Sequence, residues 1–481
     1  AGTALRTVAV GGNYAQGAAG TLQTRLGAAN ASDRIAATGT AVLADGATIE
    51  PVPQAYVASG STYTVVSADG GLTVTPANLK LVNSSALVSY TLSRSGNNLM
   101  LNAQRQATLS SMAPASLGAM GSALEALGQS GSSSANALFG ALDALPTTQA
   151  VNDALQQLAP ETNRAGAQGS QAASGAVFSA FESRVASARD GVFARAASTG
   201  LSAGEAAGRR SWVQGLGAWG EQGQRAGATG YKIHAYGLAA GLETDRSANE
   251  VMGISLAYTK AGTDGQATAQ GDNTRVDGIS LGGYFSQNRT DMSLDGSVLL
   301  GQNSYKSQRQ VTFPGFSQTV TGEYRGWQVA GQIEAGFPFQ LDAAFSGRWL
   351  AGARAGYLST GAYTEAGNAA VTQRIGASGS TSLQSVLGAE LTRALSPTSS
   401  LQMRARYLRE FSNSPDITAS FVAGGPSFTA KGTAPNRDTL QIGIGFTRIT
   451  PEGVTLTLRY DAEAKDKYLA HQLSARASWA F

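Results

Sequence analysis

The chain has 481 residues with 60 Gly, 13 Pro, no Cys, only 14% charged residues and a formal net charge of +3. Without cysteine there is no disulfide framework or thiol chemistry, and so mild a charge balance does not point to nucleic acid as a partner. No run of about eighteen apolar residues occurs, so no helix crosses a bilayer, although a transmembrane β-barrel hides its apolar band in alternate residues and escapes a hydropathy window.

No signal peptide stands at Ala1, so the chain is expected to be processed or to be a piece of a longer precursor. Residues 1–110 are rich in Gly, Ala, Thr, Val and Leu and carry short strand-like runs at 5–10, 63–66 and 87–92. Gly11-Gly12-Asn13, Ser67-Ala68-Asp69-Gly70 and Ser95-Gly96-Asn97-Asn98 stand beside these runs as turns, because Gly accepts positive φ and Asn and Asp bond their own backbone. Short strands of this kind fit the rungs of a β-solenoid or a sandwich, and no repeat of fixed period decides between them.

From 111 to 205 the composition turns to Ala, Ser, Gly, Leu and Gln, and the period becomes helical. Leu138, Leu142 and Leu145 share one face before Pro146, and Val151, Leu155 and Leu158 share another before Pro160. A longer stretch follows with Val177, Phe178, Phe181, Val185, Val192 and Phe193 among small residues, and with Glu182, Arg184, Arg189, Asp190 and Arg195 around it. Thin and polar on several sides, it packs poorly as an ordinary core helix. It reads either as an exposed linker or as a helix threaded through something narrow and polar, placed at about 172–198.

Residues from about 211 to 481 repeat an alternation of apolar or small with polar or small residues. Trp327, Val329, Ile333 and Phe337 alternate with Gln328, Gln332 and Glu334; Leu401, Met403 and Tyr407 with Gln402, Arg404 and Arg406; Leu440, Ile442, Ile444 and Phe446 with Thr439 and Gln441. Leu456, Leu458 and Tyr460 oppose Thr457, Arg459 and Asp461, and Leu473, Ala475, Ala477, Trp479 and Phe481 oppose Ser474, Arg476 and Ser478. Each run approaches the roughly 9–11 residues of a tilted membrane strand. A dry core tolerates the charged rows poorly, whereas a hydrated lumen accepts them, so the apolar rows face lipid and closure leaves no free edge. Thr450-Pro451-Glu452-Gly453 and Ser396-Pro397-Thr398-Ser399 are short turns for one rim, and the longer polar stretches 303–322 and 360–382 are expected as loops at the other.

The stretch from Arg437-Asp438-Thr439-Leu440 through Gly443-Ile444-Gly445-Phe446 and Leu458-Arg459-Tyr460-Asp461-Ala462-Glu463 to Trp479-Ala480-Phe481 resembles the translocator domain of classical autotransporters (type V secretion). So does the opening Trp212-Val213-Gln214-Gly215-Leu216-Gly217-Ala218-Trp219-Gly220. Gly11-Gly12-Asn13-Tyr14-Ala15-Gln16-Gly17, with Asp33-Arg34-Ile35 and Thr38-Gly39-Thr40-Ala41, resembles the last rungs of a β-helical passenger, and Leu158-Ala159-Pro160-Glu161-Thr162 resembles the linker. The resemblance implies a mainly β fold: residues 1–110 as an autochaperone-like passenger end, 111–205 as a helical linker and 206–481 as a barrel of about twelve strands. It further implies that the helix passes through the pore, that the barrel sits in outer-membrane lipid as a monomer, and that it carries its own passenger segment to the cell surface. Trp479 and Phe481 look like the signal read by the barrel-assembly machinery; the other role open to Phe481 is a rim anchor. Some autotransporters release the passenger by cyclisation of an Asn in the pore helix. None occurs between Ala165 and Arg210, and Asn163 lies upstream of the predicted helix, so the linker is expected to stay joined or to be cut by another route.

Other chemistry is sparse. Gly215-x-Gly217-x-x-Gly220 matches a dinucleotide fingerprint but opens no helix; its glycines are expected to flatten the lumen wall against the pore helix. His234 and His471 are far apart, which leaves a metal cluster or catalytic triad poorly supplied; His471 falls on the lipid-facing parity near a rim. The candidate functional residues are Phe178, Phe181, Glu182, Arg184, Arg189 and Arg195 on the pore helix and Arg404, Arg406, Glu410, Arg459, Asp461, Glu463 and Arg476 on the lumen wall. The wall charges act either as salt bridges that stiffen the barrel or as contacts to the helix. The expected function is secretion and surface anchoring, with no catalytic site and no cofactor. The competing class is a passive porin or surface structural protein with a plugged barrel; a catalytic, esterase-type passenger would have to lie upstream of Ala1.

Overall fold

The computed structural model describes residues 4–160, 162–189, 209–225, 229–247, 249–342, 345–413, 416–432 and 435–480, with backbone alone at 162–164, 187–189 and 480. Three parallel ladders build the N-terminal part. Thr7–Val10, Arg34–Ala37 and Thr62–Ala68 stack in one; Tyr14–Gln16, Ala41–Leu43 and Leu72–Thr73 in the second; Thr21–Leu26, Thr48–Pro53 and Lys80–Leu81 in the third. This is a solenoid rather than a sandwich. The first coil pairs Thr7 with Arg34 and the second pairs Ile35 with Val66, a longer step, so no single period shows in the sequence. An antiparallel hairpin, Val88–Ser95 with Asn98–Arg105, lies on Thr62–Ala68 and closes the sheet.

Helices Leu109–Met112, Gly118–Gln129, Asn136–Asp143 and Thr148–Gln157 follow. Thr108 and Ser111 form a reciprocal capping box at the first, and the Thr147 side chain accepts from Ala150 N–H at the last. Leu138, Leu142, Leu145, Val151, Leu155 and Leu158 are all buried, as their spacing implies. A helix spans Thr162–Arg189, so it starts about ten residues before the predicted 172. Gly166, Gly169 and the polar residues of that first stretch weaken the helical signal. Asn163 consequently lies in the first turn of the helix, not outside it.

Twelve antiparallel strands then close a barrel: β1 (Arg209–Gln222), β2 (Tyr231–Ser247), β3 (Glu250–Gly265), β4 (Asn273–Asn288), β5 (Ser293–Phe313), β6 (Phe316–Gln340), β7 (Phe345–Thr360), β8 (Ser378–Ser396), β9 (Ser399–Glu410), β10 (Asp438–Ile449), β11 (Thr455–Lys465) and β12 (Tyr468–Ala480). The seam pairs β1 with β12 from Arg210–Ala480 to Gln222–Tyr468. Outward residues are apolar in mid-strand, as at Leu238, Ile254, Leu281 and Ile442, and aromatic towards both ends. Trp219, Tyr236, Tyr258, Trp327, Tyr407 and Tyr460 stand near one rim; Phe285, Phe337, Trp349, Phe446 and Trp479 near the other. Two aromatic girdles around an apolar band are the signature of a barrel in a bilayer.

The rim with the girdle of Trp479 carries the short turns, including 396–399 and 450–453. At the opposite, outer rim the structure corrects the expectation of loops. Residues 303–322 are the extended ends of β5 and β6, paired continuously to Phe313–Phe316. Residues 360–382 supply Tyr363–Thr364 and Gln373–Ile375 to a four-stranded sheet completed by Ile417–Phe421 and Phe428–Ala430. That sheet and the β5–β6 extension share one hydrophobic core with the solenoid and the four helices, joining Val311, Phe316, Val371 and Phe421 to Tyr63, Leu99, Leu124 and Phe139.

Candidate functional site in the barrel lumen

The helix Thr162–Arg189 runs inside the barrel against β1–β5. Its small residues let it approach the wall: Ala176, Val177, Ala180, Phe181 and Val185 pack on Leu216, Ala239, Ala257, Tyr284 and Leu299, and Ala173 packs on Ala235, Ala261 and Val276. The Phe181 ring stacks on Tyr284 at 5.4 Å and fills the space where a Cβ of Gly282 would stand, 2.3 Å from its ring. Phe178, half-buried, meets Phe181 edge-on at 6.0 Å. Towards the outer end Ser170 Oγ and Tyr305 Oη are hydrogen-bonded at 2.7 Å, and the Thr263 hydroxyl donates to the Ala165 carbonyl.

Two ionic anchors hold the inner half. Glu182 points away from the β1–β5 wall and is gripped from the opposite one: Arg404 Nη1 donates to Oε2 at 2.5 Å, Arg354 Nη2 to Oε1 at 2.8 Å, and Arg406 Nη1 lies 2.9 Å from Oε1. The arginines are themselves paired, Arg406 with Glu334 at 2.7 Å and Arg404 with Asp461 at 3.2 Å, and Arg459 Nε donates to Asp461 at 2.8 Å. On the other face, Arg184 is fully buried and its Nε donates to Glu243 Oε2 at 2.8 Å. Glu243 also accepts from Arg210 Nε at 2.7 Å and from the Tyr284 hydroxyl, which in turn receives the Trp212 indole N–H. A carboxylate between two guanidiniums and a phenol has its lone pairs satisfied, which is what a buried charge requires.

The sequence-derived residues therefore divide. Glu182, Arg404, Arg406, Arg459 and Asp461 come together in one cluster, and Arg476 Nη1 donates to Ser183 Oγ at 2.8 Å on the helix. Two wall residues do not reach the helix. Glu410 accepts from Ser382, Gln384 and the Leu383 and Ser412 N–H groups, ordering the outer end of the wall, and Glu463 pairs with Lys465 and Gln441. Trp479 is on the outer face; the Arg189 side chain, Arg195, Phe481 and residues 190–198 of the predicted helix lie outside the described residues. Gly215 and Gly217 correct an expectation. They face outward, beside Trp219, Tyr236 and Leu238, because β1 turns its even positions Trp212, Gln214 and Leu216 inward; only Gly220 is on the lumen parity. His471 is outward as its parity implies, stacked on Trp219 at 5.7 Å.

Glu243, Glu334, Arg354, Trp212 and Tyr284 are not among the candidate residues drawn from the sequence, although each stands on a polar or inward row. Parity gives the side of the wall a residue faces, not which charge lies across the lumen from it.

A family model described as autotransporter beta-domain matches residues 211–461. Outer membrane protein B of Rickettsia prowazekii is 25% identical over 270 residues, covering 52% of this chain and 16% of that protein. The chain thus spans under a fifth of that relative's length. The translocator domain of autotransporter NalP from Neisseria meningitidis is 17% identical, with a TM-score of 0.49, covering 64% of this chain and 97% of that one. The beta domain of the Bordetella autotransporter BrkA is 20% identical with a TM-score of 0.40, covering 57% and 100%.

Proposed function

The chain belongs to the autotransporter beta-domain family, and from that premise we propose that it delivers its N-terminal part to the cell surface and then holds it there. It is an integral outer-membrane protein, and a family of this kind is a secretion and anchoring barrel. The observation that carries the finer reading is continuity: one chain leaves the lumen through the outer rim as the pore helix and packs at once, with the solenoid end, into a core shared with the barrel's outer strands. Residues 1–110 are then the end of a passenger, 111–205 its linker and 206–481 the translocator.

In this reading Glu182 and Arg184 are the helix's ionic anchors and Arg404, Arg406, Arg459, Asp461 and Arg476 their wall partners. The linker stays joined to the barrel after delivery. The apolar outer face meets outer-membrane lipid, and the end of β12 is what the barrel-assembly machinery reads. An epitope fused before Ala1 tests the delivery. Added protease on intact cells should remove the epitope while the barrel persists, and the epitope should be lost from the surface when Glu182 and Arg184 are intact but β12 is deleted. An epitope that is protected on intact cells and accessible only after outer-membrane lysis would overturn the reading.

A further inference from the structure

The pore helix packs its apolar face against β1–β5 and reaches the opposite wall through polar contacts at Ser179, Glu182 and Ser183, which leaves cavities beside it among the described residues. A cavity of about 250 Å³ reaches from the outer loops down beside the helix at Gln168 and Gln171. A second, of about 290 Å³, continues from the same residues and from Ser382, Gln384 and Tyr468 to Glu182. Beneath them lies a small cavity of about 30 Å³ bounded by Asp295, Glu334 and Glu390. Glu182, Gln332, Arg354 and Arg404 line both the second cavity and the small one, so they form the partition between them.

We propose that this partition is the gate of an anion-selective path running beside the pore helix, and that the Glu182 carboxylate is the bar that closes it. The upper path is lined by Gln, Ser and Tyr side chains together with the charges of Arg225, Asp272, Glu410, Glu463 and Lys465, so its selectivity is set at the partition, and it is wide enough for water, which needs only about 10–15 Å³ for one molecule. At the partition, Arg354, Arg404 and Arg406 converge on a single carboxylate from the helix. That carboxylate occupies the seat an anion would take and draws the three side chains across the lumen. Without its charge, Arg354, Arg404, Arg406 and Arg459 face Glu334 and Asp461 at the partition, with Arg348 held between Asp295 and Glu390 below. The surplus there is positive, and a ring of guanidiniums at a constriction favours anions over cations.

The helix does not depend on Glu182 alone to stay in place, because Arg184–Glu243, the Phe181–Tyr284 stack and Ser170–Tyr305 hold its other face. Opening the path is therefore separable from losing the helix. The inference rests on the reading of this helix as a resident pore segment; were it not resident, the wild-type protein would itself conduct like a barrel that lacks it.

The full chain reconstituted in planar bilayers under a KCl gradient tests this. Glu182→Gln should raise the conductance severalfold and move the reversal potential towards that of chloride, while Glu182→Asp, which keeps the charge, should stay close to wild type. The conductance of Glu182→Gln should remain below that of the chain deleted for residues 172–198. A Glu182→Gln variant that conducts no better than wild type, or that prefers potassium, overturns the proposal. So does one that reaches the level of the deletion, since the helix would then have left. Should the deletion variant fail to fold, the step and its selectivity among the three full-length proteins still decide.

Discussion

Asp143 is almost fully buried at the end of the third linker helix, where it accepts the Val57 N–H at 2.8 Å and pairs with Arg105 at 3.0 Å. Arg105 also lies over the Tyr56 ring and near Glu125, whose carboxylate accepts from the Tyr56 hydroxyl and from Leu109 N–H. Four polar side chains thus stitch the solenoid to the helices. Burial pushes the Asp143 carboxyl up to about 6, against the opposing pull of Arg105 and the Val57 N–H. An ordinary Asp titrates near ~3.9, so folding favours the protonated form here. The resulting stabilisation is complete below about pH 4 and is lost as the pH rises to about 6, roughly 3 kcal/mol across the window. Amide exchange of residues 136–158, corrected for intrinsic rates, should show protection falling from pH 4.5 to 6.5. Asp143→Asn should flatten that slope, and an unchanged slope would place its origin elsewhere.

At the scale of elements, the junction between the outer strands and the linker is built on a helix terminus. The carbonyls that end Thr148–Gln157 lack intrahelical donors, and β5 and the outer four-stranded sheet supply them: Arg309 Nη1 donates to Gln157 O at 3.1 Å and Gln373 Nε2 to Leu158 O at 2.6 Å. Arg309 is buried and also pairs with Glu365, at 2.5 Å. Arg309→Met leaves Glu365 buried without its cation, and breaking such a pair costs about 3–5 kcal/mol. The expected outcome is a heat-resistant barrel with a linker and solenoid that protease now digests; equal protease resistance in variant and wild type would refute it. This junction was the least legible part of the sequence. Gln308, Gln310, Thr312, Ser317 and Thr319 alternate with Val311 and Val320 in a polar stretch that reads as loop, because the partner that buries its apolar row lies about 150–200 residues upstream. The barrel strands were legible for the opposite reason: lipid demands the same parity in every strand, so no distant partner is needed to interpret it.

For the molecule as a whole, closure at the seam pairs the C-terminal strand β12 with β1, with Trp479 on the lipid side opposite Ser211. Two roles are proposed for Phe481, recognition during assembly and anchoring at the rim, and they can be separated. Phe481→Ser should reduce the amount of barrel assembled in cells severalfold while leaving refolding in detergent unaffected. If refolding falls in parallel, the residue acts as an anchor. The sequence carried the candidate lumen site in part. Glu182 was visible as a charge on the helix and Arg404, Arg406, Arg459 and Asp461 as inward charges of the wall, yet the convergence of Arg404 and Arg406 on Glu182 depends on strand order and tilt. Glu243 escaped notice because its two arginines lie 59 and 33 residues away.

The single core that spans the outer rim has a mechanical consequence. A load applied to the solenoid does not fall on a slack tether, because the last coils are clamped to the barrel's own strands. It passes as shear into β5 and β6, whose backbone ladders continue into the bilayer-embedded wall. A pull at the cell surface is therefore resisted by interstrand hydrogen bonds shielded in lipid. The first part to yield under force should be a solenoid rung, with the mooring left intact.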